Sequence, residues 1–403
     1  MHLKSNTSIE LLPENIIDQI KAGEVIEGPA NILKELLENS IDANSKSIDV
    51  HIENNGLDLI AVCDDGIGIT KEDLPLAFHR HATSKLSNFE DLFKLYSYGF
   101  RGEALASIAS ISKISCETIH IKGQHSLFTI EGGRVMAHVC LSQHSQQKAG
   151  TKIFVKDLFF NTPVRVKFLR SQQALRNSLK RIMDAFLLAA PEIKFTCRWD
   201  NKDKQMFFAE TGEDSLFNRV GQLFKIDKRK LKDSLLVSEQ SYDDYHLKIY
   251  IDKKFTKGFA NKKQYILVNN RSIEDKKLHN ILLQYLQPLW PQGHSGNYVI
   301  KIDLPPDHLD VNVHPQKSCI RFYKSSDVHA LLIATVKQLT KNIASNEQSS
   351  TTFNPRVDLN TDVSNFKQRY LEDSFAPQSS PSSLLSFDWD YNFLLPFNSS
   401  VYG

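Results

Sequence analysis

The sequence predicts an α+β protein in which two sandwiches of helices and sheet follow one another along the chain. In residues 1–205 the apolar positions alternate between helical and strand-like periods. Between residues 206 and 345 a strand, a helix and a second strand occur in succession, an order that favours a right-handed crossover. Residues 346–403 lose both periods and are rich in Ser, Asn, Gln and Asp, which predicts a disordered linker or tail.

Capping and periodicity place the main elements of the first region. Pro29 suits the first turn of a helix that runs to about Ile41. The apolar stretch Leu57–Cys63 predicts a buried strand that ends at Asp64. A helix start at Ala104–Ser110, a strand over Thr151–Phe160 and an amphipathic helix over Ser171–Ala190 complete this region.

The second region is predicted from a shorter set of elements. Strands at Tyr265–Val268 and Tyr298–Leu304 flank a helix at Asp275–Leu289, and another helix follows at about Asp327–Ile343. We therefore predict domains at residues 1–205 and 206–345, followed by the tail.

Composition excludes several classes of protein. The longest apolar stretch, Ile182–Ala190, is interrupted by Asp184 and is far shorter than the ~20 residues that a membrane span needs. Met1–Glu14 lacks the apolar core of a secretory signal, so we expect a soluble, cytoplasmic protein. The five cysteines are far apart without metal-ligand spacing, which predicts reduced and mostly buried thiols.

Charge is distributed unevenly. From Thr351 onward three basic residues stand against six acidic ones, a net charge of −3, which leaves +5 on residues 1–350 out of a total of +2. A mildly basic body is compatible with nucleic-acid binding but does not require it.

The predicted helix after Pro29 carries the first candidate site. At 100° per residue, Glu35, Asn39 and Asp42 fall within about 60° of one another. A carboxylate at Glu35 can take a proton from an attacking water, and the Asn39 oxygen can ligate Mg²⁺. A solvated helix face is the alternative for this segment by itself. The opposite, apolar face carries Leu33, Leu36, Leu37 and Ser40.

Three further segments have features of a nucleotide site. Asp64 follows a buried strand and can accept a hydrogen bond from an exocyclic amine such as that of adenine, while Gly66 and Gly68 allow close approach to a flat ligand; a plain Asp-Gly turn is the alternative. Tyr98–Ile108 is a glycine loop that opens a helix, typical of an anion site or a tight turn. Arg80–Lys85 has hydroxyls and a lysine that can close over phosphates, or is a solvated basic loop.

Taken together and in this order, these segments resemble the GHKL ATPase superfamily, which includes gyrase, heat-shock chaperones, histidine kinases and MutL. Within it, the most specific signature is GFRGEAL at Gly99–Leu105, which resembles the MutL family of DNA mismatch repair proteins. The resemblance covers about residues 8–345. Other segments that resemble MutL are Ala22–Ala30, Arg80–Lys85, Phe160–Leu169 and Asp310–Lys317.

The resemblance implies a GHKL (Bergerat) ATPase domain followed by a ribosomal-protein-like transducer domain, with ATP and Mg²⁺ as cofactors. It implies that Glu35 is the general base for ATP hydrolysis, that Asn39 ligates Mg²⁺ and that Asp64 binds adenine. It also implies that Lys317 reaches from the second domain to the γ-phosphate and so senses the ATP state. The implied ATP-binding residues are Asn39, Asp64, Gly66, Gly68, Thr83, Ser84, Lys85, Gly99, Arg101, Gly102, Glu103, Ala104, Leu105 and Thr151.

Two positions depart from the family pattern. The family often has Asn where Asp65 stands, and Gly28 replaces an Arg that is common in relatives. Neither departure removes a residue that the implied chemistry needs.

DNA and protein partners are also implied by the resemblance. MutL-like proteins bind DNA through backbone phosphates with little sequence preference, dimerise through their N-terminal domains when ATP binds, and contact a MutS-type mismatch-recognition protein. The family's C-terminal dimerisation domain and the endonuclease motif D-Q-H-A-x-x-E are not found, so we expect no nuclease activity from this chain. Candidate DNA contacts are Arg165, Lys167, Arg170, Arg176, Lys180, Arg181 and Arg271; ordinary solvated charge is the alternative for each.

Two rival functions have to be weighed. A type II topoisomerase ATPase subunit is a GHKL enzyme too, but such subunits carry different glycine-loop sequences. A nucleotide-gated scaffold that binds DNA and partners without useful turnover is the second rival, and Glu35 argues against it.

Overall fold

The computed structural model describes residues 13, 17, 21–23, 25–80, 82–83, 102–141, 148–258, 262–286, 289–290, 293–310 and 320–346, with side chains of the last stretch up to residue 341. Helices and sheets are mixed throughout these ranges, which confirms the predicted α+β class. The helices are α1 (Pro29–Asp42), α2 (Asp73–Ala77), α3 (Ala104–Ser110), α4 (Pro163–Phe168), α5 (Gln172–Ala189), α6 (Ser215–Phe224), α7 (Leu231–Ser234), α8 (Lys276–Tyr285) and α9 (Ser325–Asn346).

Among the described residues, eight strands form the first sheet, in the order β5-β4-β3-β6-β2-β1-β7-β8. Its neighbours pair antiparallel except for β1 and β7, which are parallel. The predicted domain boundary near residue 205 falls at β8, its last strand. The strands are β1 (Ser47–Glu53), β2 (Leu59–Asp64), β3 (Lys113–Ile119), β4 (His125–Glu131), β5 (Arg134–Cys140), β6 (Gly150–Lys156), β7 (Lys194–Trp199) and β8 (Gln205–Phe207).

The second sheet, within the part of the chain that the structure describes, has five strands in the order β12-β11-β13-β10-β9. Strands β11 and β13 are parallel neighbours joined through α8, so the predicted strand–helix–strand crossover is present. A separate two-stranded ribbon pairs β14 (Leu309–Asp310) with β15 (Arg321–Phe322). The strands of the sheet are β9 (Leu235–Tyr242), β10 (Tyr245–Lys257), β11 (Gln264–Val268), β12 (Arg271–Ile273) and β13 (His294–Asp303).

Two cores share the second sheet between them. Because successive side chains of a strand point to opposite faces, Tyr265 and Leu267 of β11 join the core of the first sheet, while Ile266 and Val268 join the core under α8 and α9. The second sheet is therefore covered on both faces, and the two sheets are parts of one packed body.

Several element ends differ from the prediction for local reasons. Strand β2 begins at Leu59 rather than Leu57 because a 3₁₀ turn at Asn54–Gly56 precedes it. Strand β6 ends at Lys156 rather than Phe160 because Asp157 and Phe159 adopt left-handed backbone conformations, with φ of 51° and 67°. Helix α8 ends at Tyr285 instead of Leu289.

Among the described cysteines, Cys116 and Cys197 are buried and Cys140 is exposed, and none is in a disulfide. Burial raises the pKa of the Cys116 thiol to about 12, which keeps it protonated and unreactive. No helix in the described ranges combines the length and the apolar character that crossing a bilayer requires.

Helix α5 joins the two sheets through Asp184, the residue that interrupts the longest apolar stretch. The Tyr265 hydroxyl donates to Asp184 Oδ2 at 2.9 Å, and Lys263 Nζ lies 3.3 Å from the same oxygen. One turn earlier, Arg181 Nε donates to Glu274 Oε1 at 3.0 Å. The charged side chains of Arg181 and Asp184 on this helix therefore stabilise the contact between the first and second sheets.

We expect Asp184 and Tyr265 to be energetically coupled. In a double-mutant cycle of Asp184→Ala and Tyr265→Phe, urea unfolding should give a coupling energy of about 1.5–3 kcal/mol, the range for a hydrogen bond to a charged group. A cycle of Asp184→Ala with Tyr298→Phe is the control, because the Tyr298 hydroxyl contacts His279 Nδ1 at 2.6 Å instead. If the two substitutions of the first cycle change the free energy of unfolding additively, Asp184 and Tyr265 are not coupled, and their contact does not stabilise the packing of α5 on the second sheet.

Candidate functional site

Helix α1 presents the predicted catalytic face beside the first sheet. Ile32, Leu33, Leu36 and Leu37 are buried, while Glu35, Asn39 and Asp42 are half-buried on the other side, as the helical period predicts. The sequence did not indicate Glu38, which is only 3% exposed and lies 3.8 Å from Lys34 Nζ through Oε1. The one signal in the sequence for this ion pair was the four-residue spacing of Lys34 and Glu38, which places the two side chains next to each other on a helix.

Asp64 connects α1 to the sheet at the end of β2. Its Oδ2 accepts a hydrogen bond from Ser40 Oγ at 2.9 Å, and its Oδ1 accepts one from the Gly66 backbone N–H at 2.9 Å. Ser40 lies on the buried side of α1, so this bond sets the helix that carries Glu35 and Asn39 against the strand that carries Asp64.

Burial raises the pKa of Asp64 above the ordinary aspartate value, although hydrogen bonds from Gly66 and Ser40 counteract part of the effect. The folded chain therefore binds a proton at Asp64 more readily than the unfolded chain does. Ionised Asp64 costs stability above its folded-state pKa, and that cost is relieved as the pH falls through it. Because burial destabilises the ionised form of Asp64, a further hydrogen-bond donor such as an amine would stabilise that form.

The two glycines after Asp64 are required by close backbone packing. A Cβ at Gly66 would lie 2.7 Å from the Ala43 carbonyl oxygen, and one at Gly68 would collide with the Ile119 carbonyl, where φ is +71°. The segment is held against both neighbours, since Ile67 donates its N–H to Ala43 at 3.1 Å and Ile121 donates to Ile67 at 3.0 Å.

Thr151 and Thr118 extend the site across two more strands. Thr151 of β6 pairs with Asp64 of β2 on one side and with Thr118 of β3 on the other. The two threonine hydroxyls are 3.1 Å apart, and Thr118 Oγ1 also accepts the Ile69 N–H at 2.9 Å. Sequence reasoning found Thr151 but missed Thr118, whose signal was a polar residue at a buried position of β3.

Two predicted nucleotide segments meet at Gly102. This glycine has φ of +62°, and a Cβ there would collide with the Ala82 carbonyl oxygen, so the loop before α3 packs directly on the segment that carries Thr83. Helix α3 starts at Ala104 after Glu103, and Leu105 packs against the first core. The remaining predicted site residues, Ser84, Lys85, Gly99, Arg101 and Lys317, lie outside the described residues.

The half-buried face of α1 offers oxygen atoms of the kind that bind a magnesium ion. Asn39 offers a carboxamide oxygen and Glu35 a carboxylate one turn earlier, and Mg²⁺ is commonly held by one or two protein oxygens together with substrate phosphates. Within the described ranges, no group of three or more His, Cys, Asp and Glu side chains could hold a metal ion by itself.

Asp65 has a structural role at its departure from the family pattern. Its Oδ1 accepts the backbone N–H groups of Lys46 at 2.7 Å and Ser47 at 2.8 Å. It thereby holds the start of β1 next to the end of β2. An asparagine oxygen can accept the same bonds, so an asparagine would fit at this position.

Some of the candidate DNA-binding residues are exposed to solvent, and others contact side chains of the protein itself. Lys167 and Lys180 are exposed. Arg165 lies over the Phe159 ring at 5.2 Å, and Arg176 donates to Asp200 Oδ2 at 3.2 Å. Arg271 lines a cavity of about 580 Å³ between α1, α5 and β12, together with Arg170 and Arg181.

Family models match this chain in the regions of both sheets. A family model described as "Histidine kinase-, DNA gyrase B-, and HSP90-like ATPase" matches residues 27–152, and one described as "DNA mismatch repair protein, C-terminal domain" matches residues 224–341. The DNA mismatch repair protein MutL of Syntrophomonas wolfei is 40% identical over 330 residues, which cover 82% of this chain. The chain belongs to the MutL family.

Solved structures place the MutL-family fold on this chain. The structure titled "Aquifex aeolicus MutL ATPase domain complexed with ADP" matches 70% of this chain and 94% of its own, with 25% identity and a TM-score of 0.52. A structure titled "Crystal Structure of N terminal domain of a DNA repair protein" matches 82% and 99%, with 22% identity and a TM-score of 0.65, and it supports the fold. The chain spans only about half the length of the curated relatives it matches, 55% for the Syntrophomonas protein.

We expect Asp65→Ala to lower the free energy of unfolding by about 1 kcal/mol, because two backbone donors lose their acceptor. Asp65→Asn is the matched control and should retain most of the wild-type stability, since its amide oxygen can accept the same N–H groups. Thermal unfolding followed by circular dichroism measures both. Equal losses in the two variants would show that charge, rather than the hydrogen bonds, matters at this position.

Proposed function

We propose that this chain is the ATP-binding and ATP-hydrolysing part of a DNA mismatch repair protein, acting as a nucleotide-controlled switch. The observation that carries the proposal is the joining of α1 to β2 through Ser40 and Asp64, which fixes the helix that carries Glu35 and Asn39 against the strand end that carries the adenine-type acceptor. The ADP complex of the Aquifex aeolicus relative supports nucleotide as the ligand.

Each residue of the site has a distinct task in this proposal. The Asp64 carboxylate accepts a hydrogen bond from the exocyclic amine of adenine, with Gly66, Gly68 and Thr151 shaping the surrounding pocket. Glu35 accepts the proton of the water that attacks the γ-phosphate. When bound, Mg²⁺ supplies charge neutralisation at the phosphate oxygens, and Asn39 would hold it.

The remaining assignments are proposals from the family. The loop Gly99–Leu105 wraps the phosphates, Thr83–Lys85 lies near them, and Lys317 reaches the γ-phosphate from the second domain. An ion pair of Lys317 with that phosphate exists only in the ATP state, so hydrolysis alters the angle between domains. We propose residues 1–205 as the ATPase domain, 206–345 as the transducer domain and 346–403 as a linker or tail.

The partners of this chain are also proposed from its family. We propose that ATP binding brings two copies together through their N-terminal domains and that the complex couples a MutS-type mismatch-recognition protein to later repair factors. DNA binding rests on the exposed Lys167 and Lys180 and on the arginines around the α5–β12 cavity, Arg271 among them. We propose that the protein acts in the cytoplasm, on nucleoid DNA.

We expect the purified chain to hydrolyse ATP slowly in the presence of Mg²⁺ and Glu35→Ala to bind ATP without hydrolysing it. Stimulation of the wild type by single-stranded DNA would support DNA binding. Glu53→Ala, which removes a carboxylate at the end of β1, is the matched control and should hydrolyse ATP like the wild type. Equal background turnover in wild type and Glu35→Ala, with normal ATP binding, would favour the non-catalytic scaffold.

We expect DNA affinity to fall steeply with salt, because the proposed contacts neutralise phosphates and release counterions. Lys180→Ala should reduce the slope of log affinity against log salt by about 0.7 on single-stranded DNA. Lys202→Ala, an exposed lysine before β8, is the control and should leave the slope unchanged. Affinity that stays constant between low and moderate salt would contradict the proposed DNA contacts.

A further inference from the structure

Helix α4 displays apolar side chains to solvent. None of its six residues is buried, Val164 is 63% exposed, and Phe168 is 83% exposed. Phe168 is the most exposed large apolar side chain in the described part of the chain. A single exposed phenyl ring is common on protein surfaces, so the residues around it decide whether it has a role.

The protein holds α4 in place by other side chains. The Arg165 guanidinium lies 5.2 Å from the Phe159 ring centroid and so close to Gly23 that a Cβ there would collide with it. At the other end, Leu169 packs toward Gly28, where a Cβ would be 3.8 Å from its Cδ2, and joins the first core. Arg165 and Leu169 thus turn inward one helical turn apart, and Phe168 is left on the outside.

Two exposed cations flank the exposed ring in the sequence. Lys167 and Arg170 are exposed on either side of it in sequence. Phe168 and Arg170 also line the cavity of about 580 Å³, where Arg181 and Arg271 lie together with the carboxylates Glu27, Glu38 and Glu274. Arg170 is therefore the exposed cation that this cavity shares with the ring. An aromatic ring among cations is the pattern by which proteins hold single-stranded nucleic acid, since every base has a face that can stack and every nucleotide carries a phosphate.

We propose that Phe168 stacks on an unpaired base of single-stranded DNA while Lys167 and Arg170 neutralise the neighbouring phosphates. This inference rests on the proposed DNA binding and adds a residue that distinguishes single strands from duplex. In a duplex the base faces are covered by their neighbours, so Phe168 has nothing to stack on. An apolar protein partner would gain from the ring but not from the positive charge on both sides of it.

Three probes of equal length separate stacking from charge: oligo(dT), an oligonucleotide with the same phosphates but only abasic sites, and a blunt duplex. Fluorescence anisotropy should show that Phe168→Ala weakens binding of oligo(dT) roughly 5- to 100-fold, the range for loss of one stacked base. Binding of the abasic strand and of the duplex should stay within about twofold, because their contacts are to phosphates.

Two further variants serve as controls. Phe168→Trp should restore oligo(dT) binding, and its indole fluorescence should be quenched when the oligonucleotide binds, which a purely structural role would not produce. Phe208→Ala removes another exposed phenylalanine, 60% exposed after β8, and should bind all three probes like the wild type.

The outcomes distinguish the inference from the function on which it rests. If wild type binds the probes and Phe168→Ala binds oligo(dT) equally well, stacking is wrong and DNA binding stands. If Phe168→Ala weakens binding of all three probes equally, stacking is also wrong. If the sedimentation coefficient of Phe168→Ala differs from that of the wild type, a second copy of the chain, rather than a base, covers the ring. If the wild type binds no probe at low salt, the proposed DNA binding fails and the stacking role fails with it.

Discussion

The hydrogen bond between Ser40 Oγ and Asp64 Oδ2 is the constraint on which the candidate site depends. It joins a helix and a strand that are separated by a turn and by strand β1, and it does so with a carboxylate whose burial has to be offset by donors. A hydrogen bond to a charged group contributes about 1.5–3 kcal/mol, less than the apolar face of α1 does. Its importance is geometric, because it sets where Glu35 and Asn39 stand relative to the acceptor at the end of β2.

The same logic of close approach governs the rest of the site. Gly66 and Gly68 let the chain after Asp64 pass against Ala43 and Ile119, and Gly102 lets a second segment pack on Ala82. Because these contacts are between backbones, a side chain at any of the three glycines would move one segment away from the others. The proposed nucleotide site is thus built from segments whose relative positions tolerate little change.

Sequence patterns predicted the parts of the molecule that depend on local periodicity. The buried and half-buried faces of α1 and the extent of α5 follow from helical spacing, and Asp64 follows from its place after an apolar stretch. Residues whose role depends on distant partners were missed. Thr118 matters because its strand lies beside β6, and Asp184 because α5 packs on the second sheet, and neither neighbour can be read from the sequence nearby.

We propose that segments around α1, β2, α3 and β6 form one nucleotide site, and hydrogen–deuterium exchange with a non-hydrolysable ATP analogue and Mg²⁺ is the most direct test. We expect the analogue to slow exchange together in peptides covering residues 35–43, 64–70, 102–108 and 150–152, because one ligand would order all four. Exchange that is slowed in none of these peptides while the analogue binds, or in only one of them, would contradict the account.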